Sequence, residues 1–457
     1  MCGTHFGIHP NANRSSTEVS MEYHNPPIQK KHWGYALALL FVRSGVTRFH
    51  RLRGSIGADH FPHVDTPMIL VSNHQNGLMD PLVNVTIVNS RQVHWLTRAD
   101  VFRHPVIRAC LFAFNQMPIF RVRDRVDDAK VRNKRIFKIC VERLKIGATI
   151  GLFPEGNHHG QKTLRKLKRG VSDMLSMGLA NDPEFSRLQL IPVGLDYEQY
   201  DSFQRRLRYR IGPPIPYTDL FDSVTKQITS SALLERIEKS IDDLMVNVQP
   251  KEHYEILYPF IRAMRMTELE TDAWLLGQKT IRQFKTFSSE GIQTIAEAHA
   301  NLVDKEVLEH ARPEDIGLKT EDRRLGKWWL WPLAPLALIG GLPSLPLAWW
   351  IGFEANKRVK DICFVSTFKV SVGMFLFPLF WMLQSVAAGF LIGNDMWSGS
   401  AFFGWYAFNI IGSRISGFWY GHFLDWKGAQ QARRVWNQPE HAKAWKHYID
   451  TVLTLLR

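Results

Sequence analysis

Pro67-Met68-Ile69-Leu70-Val71-Ser72-Asn73-His74-Gln75-Asn76-Gly77-Leu78-Met79-Asp80-Pro81 is the stretch on which the reading of this chain turns. It begins as a short apolar run of the length and make-up of a buried strand. Asn73, Asn76 and Gly77 then supply loop chemistry, and Pro81 suits the first turn of a helix. A strand that opens through a polar loop into a helix presents its loop at the edge of a sheet, where chemistry concentrates in α/β folds. His74 and Asp80 stand in that junction.

The same alternation continues outward. Residues 67–72, 93–97, 148–153, 188–194 and 207–212 read as strands, and 81–90, 101–114, 127–145 and 170–178 as helices between them. The pattern predicts an α/β domain over residues 61–225, with a largely parallel sheet flanked by helices. Residues 226–325 become charged and helical, with a long amphipathic stretch at 231–246. Three apolar runs follow, at 328–353, 370–394 and 396–423, and define a membrane region over 326–425. Residues 426–457 close the sequence as a C-terminal helix, predicted to be cytoplasmic.

Within the first apolar run, Gly340-Gly341 and the prolines at 332, 335, 343 and 346 suit a re-entrant or broken-helix hairpin, the alternative being one kinked span. The loop after it carries Lys357, Arg358, Lys360 and Lys369, and the tail carries Lys427, Arg433 and Arg434, with Asp395 between the last two runs. The positive-inside tendency puts the basic loop and tail on the cytoplasmic side and pairs the last two runs as a hairpin. The expected location is thus a multi-pass membrane protein whose catalytic domain is cytoplasmic. Arg414 lies inside the third run and reads equally as a functional charge or as a side chain reaching toward headgroups.

The first 60 residues are a polar tail, in which Met21 is a candidate start, followed by an apolar run at 33–42. Flanked by Lys30, Lys31, Arg43, Arg48 and Arg51, that run is either a basic interfacial helix or a helix packed on the domain surface.

The chain has 457 residues, with 57 Lys and Arg against 43 Asp and Glu and a net charge of +14. Such a balance suits an anionic membrane, a phosphorylated substrate or a nucleic acid. No recognised nucleic-acid module accompanies the charge, so no nucleic-acid partner is expected. Cys2, Cys110, Cys140 and Cys363 are scattered without a CxxC pair, which points to a reducing compartment and to neither a metal site nor a disulfide framework.

A histidine in the loop after a strand can take a proton from an attacking alcohol, and a nearby carboxylate can fix its tautomer and stabilise the imidazolium. Taken alone, His74 reads as readily as a satisfied loop histidine, and Asp80 as a helix cap. Three further blocks follow in order: Met117-Pro118-Ile119-Phe120-Arg121-Val122-Arg123-Asp124, Phe153-Pro154-Glu155-Gly156 and Ile191-Pro192-Val193-Gly194. A phosphate is best held by guanidinium and ammonium groups, which Arg121, Arg123, Arg165, Lys168 and Arg169 supply.

With these four blocks in order over residues 67–216, about a third of the chain, the sequence resembles the glycerolipid acyltransferase family, which includes glycerol-3-phosphate and 1-acylglycerol-3-phosphate acyltransferases and bacterial phospholipid acyltransferase-like members. The resemblance implies His74 as general base and Asp80 as its orienting partner. It implies a substrate site made by Pro118, Arg121, Glu155, Gly156 and Lys168, with Arg121 and Lys168 facing phosphate. It further implies acyl-CoA or acyl-carrier protein as co-substrate and no cofactor or metal, a glycerol-3-phosphate or lysophospholipid acceptor, and a phospholipid membrane as partner. A non-catalytic, membrane-anchored lipid-binding protein on an acyltransferase-like domain is the alternative. Two departures stand out. Five residues separate His74 from Asp80 where the commoner pattern has four, which requires His74 to precede the helix. Asn157-His158-His159 also follows Gly156 where many relatives have Thr-Arg-Ser, so that Lys168 or a histidine takes the place of the missing arginine.

Overall fold

The computed structural model describes residues 33–88, 91–121, 128–264, 271–318, 328–392 and 398–457. The polar tail with Met21, Arg123 and Asp124 of the second block, and Asp395 lie outside the described residues.

The chain enters through helix α1 (Trp33–Phe49) and strand β1 (His50–Ile56). There follow β2 (Met68–Ser72), α2 (Met79–Ile87), β3 (Val93–Arg98), α3 (Pro105–Ala113), β4 (Met117–Ile119), α4 (Ala129–Lys145), β5 (Thr149–Leu152), α5 (Gly170–Asn181), β6 (Gln189–Tyr197) and β7 (Arg205–Ile211). The strands form one sheet in the order β1-β7-β6-β2-β5-β3-β4. Every neighbouring pair is parallel except β6 and β7.

Strand β2 sits at the centre because its residues are apolar on both sides, as a strand covered on both faces requires. Ile69 and Val71 pack with Ile150 and Leu152 against Ile136 and Leu144 of α4 and Met174 and Leu175 of α5. Met68 and Leu70 point the other way, toward Val46 and Phe49 of α1 and Met79 and Val83 of α2. Val370, from the second apolar run, joins this second core.

The five expected strands and four expected helices all form, with one revision: the helix read over 101–114 is split. A 3-10 turn (Ala99–Arg103) precedes α3, and Pro105 starts the new helix because it cannot continue the old one. Strands β1 and β4 are additions.

After the sheet come α6 (Ser230–Asp242), α7 (Tyr254–Ala263), α8 (Thr271–Gln283), α9 (Ser289–Asp304) and the short α10 (Val307–His310) and α11 (Pro313–Ile316). The apolar region follows as α12 (Leu330–Gly341), α13 (Leu345–Arg358), α14 (Ile362–Ile392) and the 39-residue α15 (Gly399–Asn437), and α16 (Pro439–Leu455) closes the described chain. The helical region and the end of the chain, although set apart in sequence, share one core: Leu257, Phe260, Ile295 and Leu302 pack with Val435, Trp445, Tyr448 and Ile449.

Among the described residues, two helical segments are long and apolar enough to cross a membrane, Leu330–Arg358 and Ile362–Ile392. The first is α12 and α13 joined by a 3-10 turn at Leu342–Ser344. Gly341, Leu342, Ser344 and Leu345 all keep right-handed helical dihedrals at this turn, which divides the run into α12, whose Leu330 and Gly340 lie against Trp419 and Gly412 of α15, and α13, whose Ile351 lies against Gly373 of α14. Close packing explains its glycines: a Cβ on Gly340 would lie 2.7 Å from the Cα of Gly412 on α15. The third expected run belongs to α15, where Asn409, Ser413, Arg414 and Ser416 interrupt the apolar sequence.

A buried ionic cluster ties α15 to the sheet. The Arg51 guanidinium donates to both oxygens of Asp425, at 2.9 and 2.8 Å, and Arg206 pairs with the same carboxylate at 2.9 Å. Buried charges persist only when paired in this way.

Candidate functional site

Asp80 is the second residue of α2, and His74 stands in the loop before it, so the five-residue spacing brings the two side chains together. His74 Nδ1 lies 2.8 Å from Asp80 Oδ2. That oxygen also accepts from the backbone amides of Gln75 at 2.7 Å and Asn76 at 2.8 Å. The other oxygen accepts from the Tyr197 hydroxyl at 2.7 Å. Asp80 is wholly buried and its partners are donors, the bonding pattern of a carboxylate. With the Nδ1 hydrogen directed at Asp80, Nε2 of His74 carries the lone pair that can act as base.

The loop is pinned from several sides. The Asn73 amide bridges the backbone of Leu195 on β6, donating to its carbonyl at 2.9 Å and accepting from its amide at 2.7 Å. The His74 amide donates to Glu155 Oε1 at 2.7 Å, and the Arg165 amide donates to Glu155 Oε2 at 3.1 Å. Burial pushes the Glu155 carboxyl up to about 7, although both amides act to lower it. Gly77 has φ +38, and a Cβ there would meet the Cys363 carbonyl at 2.8 Å, so glycine is required.

The imidazole is held by aromatic stacking. The ring of Phe153 lies parallel to that of His74 with centroids 4.2 Å apart, and Trp95 stacks behind Phe153 at 4.9 Å. Gly151 on β5 makes room for Trp95, because a Cβ there would come within 2.7 Å of the indole.

A cavity of about 1660 Å³ opens in front of His74. Its lining is mixed. Apolar side chains include Leu39 and Val42 of α1, Leu82 and Val85 of α2 and Ile107 and Leu111 of α3, and basic ones include Arg121, Lys130, Lys134, Arg165, Lys168 and Arg169. Arg121, Glu155, Gly156 and Lys168 all line the cavity. Gly156 takes φ +70, and the Lys168 side chain passes beside it. Pro118 does not line the cavity: it is buried in β4, paired with Thr97 on β3, while Ile119, Phe120 and Arg121 after it reach the opening. An edge strand is where a residue without an amide hydrogen is tolerated, which gives Pro118 a structural place.

Several residues at the site were not legible in the motifs. Tyr197 acts on Asp80 from β6, and Leu195 on the same strand is the backbone that Asn73 of the loop grips. Asp361, just ahead of α14, accepts from His158 Nε2 at 3.1 Å, and Ser366 of α14 bonds the Asn76 amide at 3.1 Å. Asp361 is partly buried, which raises its carboxyl, but the Cys363 amide and the His158 ring outweigh this and hold it below its ordinary value.

Fold and site together define an α/β domain whose central strand delivers a histidine–aspartate pair to a cavity lined by both apolar and basic side chains. Residues 55–195 match the model of the Acyltransferase family. The chain is similar to the glycerol-3-phosphate O-acyltransferase 1 of Saccharomyces cerevisiae, with 23% identity over 59% of this chain and 39% of that protein. It is also similar to the chloroplastic 1-acyl-sn-glycerol-3-phosphate acyltransferase LPAT1 of Arabidopsis thaliana, with 25% identity over 31% of this chain and 37% of that one. Among solved structures, the 1-acyl-sn-glycerophosphate (LPA) acyltransferase PlsC of Thermotoga maritima is similar over 50% of this chain and 87% of its own, with 15% identity and a TM-score of 0.33. The chain spans well under half the length of the curated relatives it matches, 39% of the first and 16% of the second.

Proposed function

We propose that the protein is a membrane-bound O-acyltransferase that moves a fatty-acyl group from acyl-CoA or acyl-carrier protein to the hydroxyl of glycerol-3-phosphate or a lysophospholipid. The observation that carries this reading is that His74, with Asp80 behind it, lines one cavity together with both apolar and basic side chains. An acyl chain suits the apolar side chains, and a phosphate suits Arg121, Lys168 and their neighbours.

His74 Nε2 takes the proton of the acceptor hydroxyl as its oxygen adds to the thioester carbonyl, and Asp80 stabilises the imidazolium that forms. Collapse of the tetrahedral intermediate expels the thiolate, which recovers the proton from His74. The new ester and a free thiol are the products. An intact and fully bonded His74/Asp80 pair speaks against a purely lipid-binding role, since binding alone does not need it.

Membrane attachment is supported by the two long apolar helices and by what they present outward. Leu338 and Phe375 stand 59% and 68% exposed, where a soluble protein would bury them. Helix α1 adds Leu37, Leu40 and Phe41, also exposed, while Val46 and Phe49 face the core. That arrangement serves both readings of the segment, an interfacial face and a packing face. The cytoplasmic side is assigned to the catalytic domain from the basic loop and tail.

The test is transfer from a radiolabelled acyl donor in purified membranes, against a panel of glycerol-3-phosphate, dihydroxyacetone phosphate and lysophospholipids, with His74→Ala as control. Labelled ester with one acceptor, lost in His74→Ala, is expected. No acceptor-dependent product with either donor, or full activity in His74→Ala, would overturn the reading.

A further inference from the structure

The reaction proposed above develops negative charge on the thioester carbonyl oxygen, and stabilising that charge is commonly the largest single contribution to such catalysis. The His74/Asp80 pair is occupied with the proton and leaves this task unassigned.

A second histidine–carboxylate pair stands beside the first. His158 lies edge-on to His74, with ring centroids 5.6 Å apart, and both rings line the cavity. Its Nε2 bonds Asp361 Oδ2 at 3.1 Å, and Phe364 packs edge-on against it at 4.7 Å. Asp361 is itself fixed, accepting from the Cys363 amide at 2.9 Å at the start of α14. With Nε2 directed at Asp361, Nδ1 is the ring nitrogen remaining for a substrate. In the imidazolium both nitrogens donate, and Asp361 supplies the counterion.

We propose that His158 is a second catalytic imidazole, donating from Nδ1 to the oxyanion that forms when the acceptor hydroxyl adds to the thioester. Asp361 is its positioning residue, contributed by the C-terminal membrane region rather than by the matched stretch 55–195. The electron pair of the carbonyl moves to oxygen as the hydroxyl proton passes to His74. His158 holds the oxyanion without giving up its proton, and collapse returns the pair and expels the thiolate, protonated by His74.

The charged and titratable groups around His158 fix the conditions for this role. They are His74 on the catalytic loop and Asp80 at the start of α2, Glu155, His159, Arg165 and Lys168 on its own segment, Lys251 beyond His159, and Asp361 and Cys363 before and within α14. The Arg165 guanidinium donates to the His158 carbonyl at 3.4 Å, so this cation is turned toward the backbone of the segment.

The inference rests on the proposed acyl transfer, and one experiment separates the two. Acyl transfer is measured in membranes for wild type, His158→Leu, His158→Gln and Asp361→Asn, with kcat and both KM values determined and folding followed by thermal melting in detergent. Removing an oxyanion donor typically lowers kcat by about 10²–10³-fold, which is the loss expected for His158→Leu with both KM values within roughly threefold of wild type. His158→Gln keeps an uncharged donor and should recover at least about tenfold over the leucine variant, with Asp361→Asn falling in between. Should His158→Leu fail to melt cooperatively, the glutamine and asparagine variants carry the same comparison. A leucine variant near wild type, a glutamine variant no better than it, or a loss confined to acceptor KM overturns the role of His158. Failure of wild type to transfer to any acceptor removes the parent reading instead.

Discussion

The Tyr197 hydroxyl donates to Asp80 Oδ1 over 2.7 Å, joining the end of β6 to the carboxylate behind His74. Both side chains are fully buried, and 117 positions separate them in sequence. Burial first, and then the neighbouring Asp80 charge, raise the Tyr197 phenol well above its ordinary value, so the hydroxyl remains a donor over the working pH range.

Tyr197→Phe removes that donor without altering ring volume. A buried carboxylate oxygen left one donor short costs about 1–3 kcal/mol. The variant should therefore lose thermal stability, and kcat should fall by roughly tenfold or more as the imidazole loses its fixed partner, with both KM values little changed. Steady-state kinetics and melting measure both effects. An unchanged kcat would show that the two amide donors and His74 suffice to hold Asp80.

How far the sequence discloses this arrangement depends on where each partner lies. Residues 67–81 announce a strand, a loop and a helix because β2 is apolar throughout and Pro81 falls in the first turn. Strand β1 begins His50-Arg51-Leu52-Arg53 and shows no apolar run, since its Arg51 is buried by pairing with Asp425 rather than by apolar packing. Strand β4 has three residues, too few for a period. The His74/Asp80 pair is local and therefore readable. His158 and Asp361 are 203 positions apart, and only the folded chain brings α14 over the catalytic loop. Gly340-Gly341 carries a signal that one sequence cannot interpret: a flexible turn and a close helix contact look alike until Gly412 is seen against it.

That contact is testable. A Cβ on Gly412 would lie 2.6 Å from the Gly340 carbonyl oxygen, and both contact atoms are backbone that cannot swing aside. Gly412→Leu should separate α12 from α15 and lower the melting temperature of the detergent-solubilised protein, by an amount consistent with overpacking costs of about 1–3 kcal/mol or more. Gly404, on the same helix with nothing within 4 Å of its Cβ position, is the control, and Gly404→Leu should melt close to wild type.

Arg121 lines the cavity, with its guanidinium 4.0 Å from Asp100. If it holds the acceptor phosphate, Arg121→Ala should raise the acceptor KM by roughly tenfold to a hundredfold, the range expected for hydrogen bonds between charged groups, and leave the donor KM within about threefold. Arg121→Lys keeps the charge but not the two-pronged geometry and should recover only part of the loss. A change confined to the donor KM would place the acyl carrier, not the acceptor, at this residue.

Glu155 gives the site a pH signature with a definite sign. Burial lifts its carboxyl to about 7 in the folded chain, against an ordinary value of 4.5. The folded state therefore holds this proton more tightly than the unfolded state does. The resulting stabilisation is complete below about pH 4.5 and is lost as pH rises to about 7, where the folded protein must bury a charged carboxylate. At one unit per 1.36 kcal/mol, the span amounts to about 3 kcal/mol. Glu155→Gln cannot ionise and still accepts from the His74 amide, though it loses an acceptor for the amide of Arg165. The variant should be the less stable protein near pH 5 and gain on wild type steadily toward pH 7 and above. Melting temperatures of both proteins taken across that range test this. Parallel curves would mean that the two amide donors, not burial, govern the carboxyl, and that Glu155 is ionised throughout.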